Sequence, residues 1–140
     1  MKNEAFSTLN HCVYRLRYHL VLVVKYRQPA ITPEILSRLK GLTHERAEAW
    51  GGEVLEVNGE PDHLHILLEL PPTACLSDFV NALKTGTSRR IRNEFKATLK
   101  TKLWGGAFWS RSYCVVSCGG APLSIVKQYI QNQKPLPEGS

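Results

Sequence analysis

From residue 15 to residue 25 the chain alternates, with Leu16, Tyr18, Leu20, Leu22 and Val24 on one side and Arg17, His19, Val21, Val23 and Lys25 on the other. Period two is the mark of a strand, so this segment predicts the first one. Thr32 followed by Pro33 opens a helix, because threonine offers a capping oxygen and proline suits the first helical position. Its apolar residues Ile35, Leu36, Leu39, Leu42 and Ala47 recur at three and four, and Gly51-Gly52 stops it near Trp50. Residues 53–57 and 64–70 read as two antiparallel strands around Asn58-Gly59, a strong hairpin signal. A second helix begins near Ser77 as N-cap and buries Phe79, Val80, Leu83, Ile91 and Phe95. Gly105-Gly106 breaks the chain, residues 109–117 predict a fourth strand, and Pro122 starts a last helix that runs to about Gln133.

The order β-α-β-β-α-β-α predicts an α+β fold: a four-stranded, mostly antiparallel sheet with helices on one face, ferredoxin-like or RNA-recognition-motif-like, plus a C-terminal helix. That last helix is only about 12 residues long and marginal alone in water, so Leu123, Val126 and Ile130 need a surface to dock on. The joint at Gly119-Gly120 would let a neighbouring subunit provide it. The 140 residues are expected to form one domain over 1–134, with a disordered tail over 135–140 marked by Pro135, Pro137 and Gly139. The longest apolar run, residues 20–24, is far short of the ~20 residues of a bilayer crossing, and no export signal opens the chain. A cytoplasmic protein is expected, with its scattered Cys12, Cys75, Cys114 and Cys118 reduced.

Charge adds a direction to this scaffold. The net charge is +6, and the whole surplus lies between Lys84 and Lys102, where seven basic residues face one acid, Glu94. Residues 44–69 carry seven acids against Arg46 alone, so an anion is steered toward the second helix. A solvated helix face would carry the same residues, and charge by itself does not separate the two.

The third strand contains Pro61-Asp62-His63-Leu64-His65-Ile66-Leu67-Leu68. Period two sends Leu64, Ile66 and Leu68 to the core and both histidines to the opposite face, where two imidazoles can share a metal ion. Two ligands do not make a site, and a pair of surface histidines gives the same alternation. On the last helix Tyr129 and Gln133 lie four apart, one turn from each other on one face. Adding Cys114 and Cys118 to the histidines would make a zinc set, but four residues along a strand span ~13 Å, too far for one ion.

Taken in order, Pro-Asp-His-Leu-His at residues 61–65, the basic second helix, Leu-Trp-Gly-Gly-Ala-Phe-Trp-Ser-Arg-Ser-Tyr at residues 103–113 and Tyr-Ile-Gln-Asn-Gln at residues 129–133 resemble the small single-tyrosine HUH transposases of bacterial insertion sequences, the TnpA type. The likeness covers nearly the whole chain, including Lys25-Tyr26-Arg27 at the exit of the first strand. It implies that His63 and His65 are metal ligands, Gln133 the third ligand and Tyr129 the nucleophile. It further implies cleavage and rejoining of single-stranded DNA at the ends of a mobile element, through a 5′-phosphotyrosine, by a homodimer that recognises DNA hairpins; Gly119-Gly120 before the last helix suggests that Tyr129 completes the partner's histidine pair in trans, with a cis arrangement still open. Mg²⁺ or Mn²⁺ also comes from the resemblance, since neutral His and Gln donors hold zinc, nickel or copper more tightly than magnesium. Asp62 either orients a ligand or ends the turn.

For the DNA, cations along the backbone and flat rings against bases are needed. Lys84, Arg89, Arg90 and Arg92 are the candidates for phosphate contacts, and Trp104, Phe108 and Trp109 for stacking, although aromatic residues beside a strand also build cores. His19 either lines the site or is a hydrogen-bonded structural residue. Two other readings remain open here: a domesticated relative that processes chromosomal palindromic repeats, and a non-catalytic single-stranded nucleic-acid-binding module. The latter should show aromatic residues on the open face of its first strand, where His19 and Val21 stand instead.

Overall fold

The computed structural model describes residues 6–103 and 106–118. Trp104, Gly105, Gly119-Gly120, the expected last helix with Tyr129 and Gln133, and the tail over 135–140 lie outside the described residues. A small hairpin, β1 (Ser7–Leu9) and β2 (Cys12–Tyr14), precedes the main sheet and was not expected. The sheet is built from β3 (Arg17–Val24), β4 (Glu53–Glu60), β5 (His63–Glu69) and β6 (Trp109–Ser117) in the order β4-β5-β3-β6, with every neighbouring pair antiparallel. Helices α1 (Pro33–Ala49) and α2 (Leu76–Glu94) cross over between strands, and a short α3 (Lys96–Leu99) follows α2. The expected α+β layout is therefore the one observed.

Alternation along the strands decides which side is covered. Leu20, Leu22, Val24, Leu64, Ile66 and Leu68 form one buried cluster with Ile35 and Leu39 of α1 and Phe79, Leu83 and Ile91 of α2. Both long helices thus lie on one face. Thr32 caps α1 by accepting a hydrogen bond at its Oγ1 from the Ile35 N–H, 3.2 Å, an arrangement worth about 1 kcal/mol. Past the end of α1, Gly51 takes φ +77°, the left-handed conformation that glycine adopts without a side-chain penalty. α2 starts at Leu76 with Cys75 in the cap position and no side-chain cap; Ser77 is already inside its first turn. No helix among the described residues is long and apolar enough to cross a membrane.

The β4–β5 hairpin corrects the sequence reading. Asn58 and Gly59 are not its turn: they sit inside β4, paired with His65 and Leu64, and Pro61-Asp62 closes the loop. A Cβ at Gly59 would stand 2.9 Å from Leu36 Cδ1, so the glycine serves the close passage of α1 over the strand. The turn is fastened by two backbone bonds, Val24 N–H to the Asp62 carbonyl and Ile31 N–H to the Pro61 carbonyl, both 2.9 Å.

β3 leaves the sheet through a single 3-10 turn, Lys25–Arg27. Tyr26 (φ 59°) and Arg27 (φ 54°) are both left-handed there, and neither is glycine. Each such residue costs about 1–2 kcal/mol, which the rest of the fold offsets.

Candidate active site and nucleic-acid interface

β5 is a central strand, and it holds His63 and His65 on the face opposite α1 and α2. The two partly exposed rings meet edge to face with centroids 4.6 Å apart. Asp62, the last residue of the turn, places Oδ1 2.6 Å from His63 Nδ1, and Arg27 donates from Nε to Asp62 Oδ2 at 3.3 Å. A carboxylate at Nδ1 is the partner that commonly orients a ligand imidazole and leaves Nε2 for the ion. Burial pushes the Asp62 carboxyl up, but the hydrogen bond with His63 and the charges of His63 and Arg27 outweigh it and hold the group below its ordinary range. Burial, with the neighbouring His63, pulls the His65 imidazole down, which favours the neutral form a metal needs.

A third imidazole joins them. His19 of β3 lies with its ring centroid 5.4 Å from that of His65 and is only 5% exposed. Its Nδ1 has no hydrogen-bond partner among the described residues, so the hydrogen-bonded structural role is not what this nitrogen shows. Burial, then the charge of His65, lowers its pKa to about 4, against a smaller opposing effect of Glu56.

The donor set fits a divalent ion in part. Two imidazoles on one strand, one of them hydrogen-bonded to a carboxylate, are half of a site. Among the described residues no group of three or more His, Cys, Asp or Glu side chains could hold an ion, and Gln133 lies outside the described residues. Cys114 and Cys118 are free thiols and form no such group with the histidines.

The basic residues divide into two sets. Lys84, Arg89, Arg92 and Lys96 line an open groove of about 560 Å³ between α2 and the segment from Gly106 to Trp109, and no acidic side chain is among its lining residues. Lys84 donates from Nζ to the Arg111 carbonyl at 3.1 Å, which fixes it at the rim, and its burial lowers its pKa. Arg90 points the other way: it donates from Nε to Glu94 at 3.1 Å, and Arg38 of α1 holds the same carboxylate. It is not among the residues that line this groove, whereas Lys96, which the sequence reading left out of the phosphate-contact set, is. The recurrence of Thr85, Ser88-Arg89, Arg92 and Lys96 every three or four residues was the available signal.

Trp109 lies mostly in the core. It lines the groove but is 5% exposed, packs edge-on against Phe108, and donates from Nε1 to Thr87 Oγ1 at 2.9 Å. Phe108 beside it is fully buried. Arg27 is the other residue the sequence reading missed, visible there only as part of a motif and here joined to His63 through Asp62.

Comparison with known proteins agrees with this geometry. The family described as transposase IS200 like matches residues 12–133. The ISDra2 transposase TnpA of Deinococcus radiodurans is 38% identical over 121 residues, covering 86% of each chain. The transposase of insertion sequence IS200 from Salmonella typhimurium is 32% identical over 127 residues, 91% of this chain and 82% of its own length. A crystal structure from Deinococcus radiodurans assigned as a transposase superposes with a TM-score of 0.73 at 34% identity, covering 91% of this chain and 97% of that one. A REP-associated tyrosine transposase bound to a REP hairpin shares the fold at a TM-score of 0.57 and 10% identity, over 89% of this chain and 68% of that one. The sheet with its paired histidines and the match across most of its length place this chain in the IS200-like transposase family.

Proposed function

We propose that this transposase cleaves and rejoins single-stranded DNA at the ends of an insertion sequence, with Tyr129 as nucleophile and His63, His65 and Gln133 as ligands of Mg²⁺ or Mn²⁺. The observation that carries this reading is the pair of imidazoles on the face of β5 opposite α1 and α2, with Asp62 hydrogen-bonded to one of them. A divalent ion bound there supplies Lewis-acid polarisation of the scissile phosphate and offsets the charge that builds in the transition state. Asp62 and Arg27 hold His63 in the orientation that presents Nε2. Tyr129 forms the new bond from its phenolic oxygen to phosphorus while the bond from phosphorus to the 3′ oxygen breaks; the phenol loses its proton and the 3′ oxygen gains one. The result is a 5′-phosphotyrosine and a free 3′-hydroxyl, and attack by another 3′-hydroxyl reverses the step without ATP.

Lys84, Arg89, Arg92 and Lys96 bind the DNA backbone in the groove along α2, where a strongly cationic, acid-free lining suits a single strand. Hairpins at the element ends are the substrates, and a homodimer supplies the surface on which the last helix docks. The domain over 1–134 and the trans or cis arrangement of Tyr129 belong to the same proposal.

A labelled single-stranded element end incubated with Mn²⁺ tests it. Wild-type protein should give a denaturation-resistant adduct, and Tyr129→Phe should bind the DNA but give none. An adduct in Tyr129→Phe, or none in the wild type with or without Mn²⁺, refutes the proposal. Mixing Tyr129→Phe with a His63→Ala, His65→Ala chain separates the two site arrangements: restored cleavage means trans, an inert mixture cis.

A further inference from the structure

The turn at the end of β3 has a position that its sequence does not advertise. On one side Arg27 bonds Asp62, which bonds His63, and Val24 N–H bonds the Asp62 carbonyl. On the other side Lys25 N–H donates to the Phe108 carbonyl at 3.0 Å, and Phe108 lines the cationic groove. The turn is thus tied to the histidine pair by one end and to the groove by the other.

What the turn presents there is Tyr26. The residue is 56% exposed, with Lys25 Nζ 5.5 Å from the ring centroid. It is held out by two consecutive left-handed, non-glycine residues, a conformation that persists only where surrounding bonds impose it and that gathers at functional sites. An exposed aromatic ring gains nothing for the fold by standing in water, whereas every nucleobase offers a flat face to stack on it.

We infer that Tyr26 is a base-stacking platform for the nucleotide between the groove and the histidine pair, and that Lys25 contacts the phosphate beside it. This rests on the single-strand cleavage proposed above, and it assigns the flat surface that buried Trp109 does not provide.

The test uses Tyr26→Gly, because glycine suits the left-handed backbone and keeps the turn while removing the ring. Tyr26→Phe and Tyr26→Trp keep a ring. The probe is a single-stranded element end with 2-aminopurine at successive positions around the cleavage point, in full-length protein. Expected results are quenching at one position in wild type, its loss in Tyr26→Gly, a roughly 5- to 100-fold weaker dissociation constant for that variant, and near-normal binding by the Phe and Trp variants. If Tyr26→Gly binds and quenches as wild type does, the inference fails while the cleavage reading stands. If wild type forms no Mn²⁺-dependent adduct, the cleavage reading fails, and position-specific quenching still decides whether the ring stacks. Loss of the adduct in Tyr26→Phe also overturns the inference, since it makes the hydroxyl rather than the ring the active part.

Discussion

Trp109→Phe separates a core residue from a DNA contact. The indole is 5% exposed, and its N–H donates to Thr87 Oγ1, 2.9 Å away, while that hydroxyl donates to the Leu83 carbonyl at 2.7 Å. Phenylalanine keeps an aromatic ring but removes the donor and leaves a gap where part of the indole was. Complete truncation of a buried Trp costs about 3–5 kcal/mol; losing only the outer part of the ring costs roughly 1–2, and the lost hydrogen bond adds about 1. Thr87 keeps its own donation to Leu83, so no buried donor is orphaned. The expected destabilisation is about 2–3 kcal/mol, which for a chain of this size lowers the melting temperature by roughly 6–10 °C. Circular dichroism melts measure it, and fluorescence anisotropy with single-stranded DNA, taken well below the melt, should show little change in affinity. Thr87→Val should destabilise by about 1–3 kcal/mol by stranding the indole N–H, and the double variant should reveal a coupling of about 1 kcal/mol. A Trp109→Phe protein as stable as wild type but tenfold weaker on DNA would refute the argument and return the ring to the binding surface.

The division of the basic residues predicts unequal salt responses. Arg92→Gln and Lys96→Gln should each reduce the slope of log K against log salt for single-stranded DNA by about 0.7, whereas Arg90→Gln, whose guanidinium is spent on Glu94, should leave it unchanged; equal slopes for all three variants would mean that the groove does not select among them. His19 makes stability depend on pH in one direction. Its pKa is about 4 in the fold and near 6.5 when unfolded, so the unfolded chain binds the proton first: its contribution is complete above pH 6.5 and fades as pH falls toward 4. Urea midpoints of metal-free wild type should therefore drop more steeply over that range than those of His19→Gln, and parallel curves would contradict the burial argument.

What could be read along the chain is whatever repeats with the period of its own backbone. Alternation over residues 63–68 put Leu64, Ile66 and Leu68 in the core and His63 and His65 on the open face, and the structure agrees. Thr32-Pro33, Gly51-Gly52 and the strand from Trp109 to Ser117 were equally legible, because caps, stops and strands are local. Distances between elements are not local, and there tertiary packing decided. Asn58-Gly59 carries the chemistry of a turn, yet Leu36 passing over Gly59 drew it into the strand and moved the turn to Pro61-Asp62. Arg89 and Arg90 are neighbours in sequence but stand about 100° apart around a helix, so one faces the groove and the other faces Glu94. His19 against His65 exists only because strands far apart in sequence are adjacent in the sheet. A sequence pattern specifies which side a residue faces; which residue it meets there is set by how the elements pack.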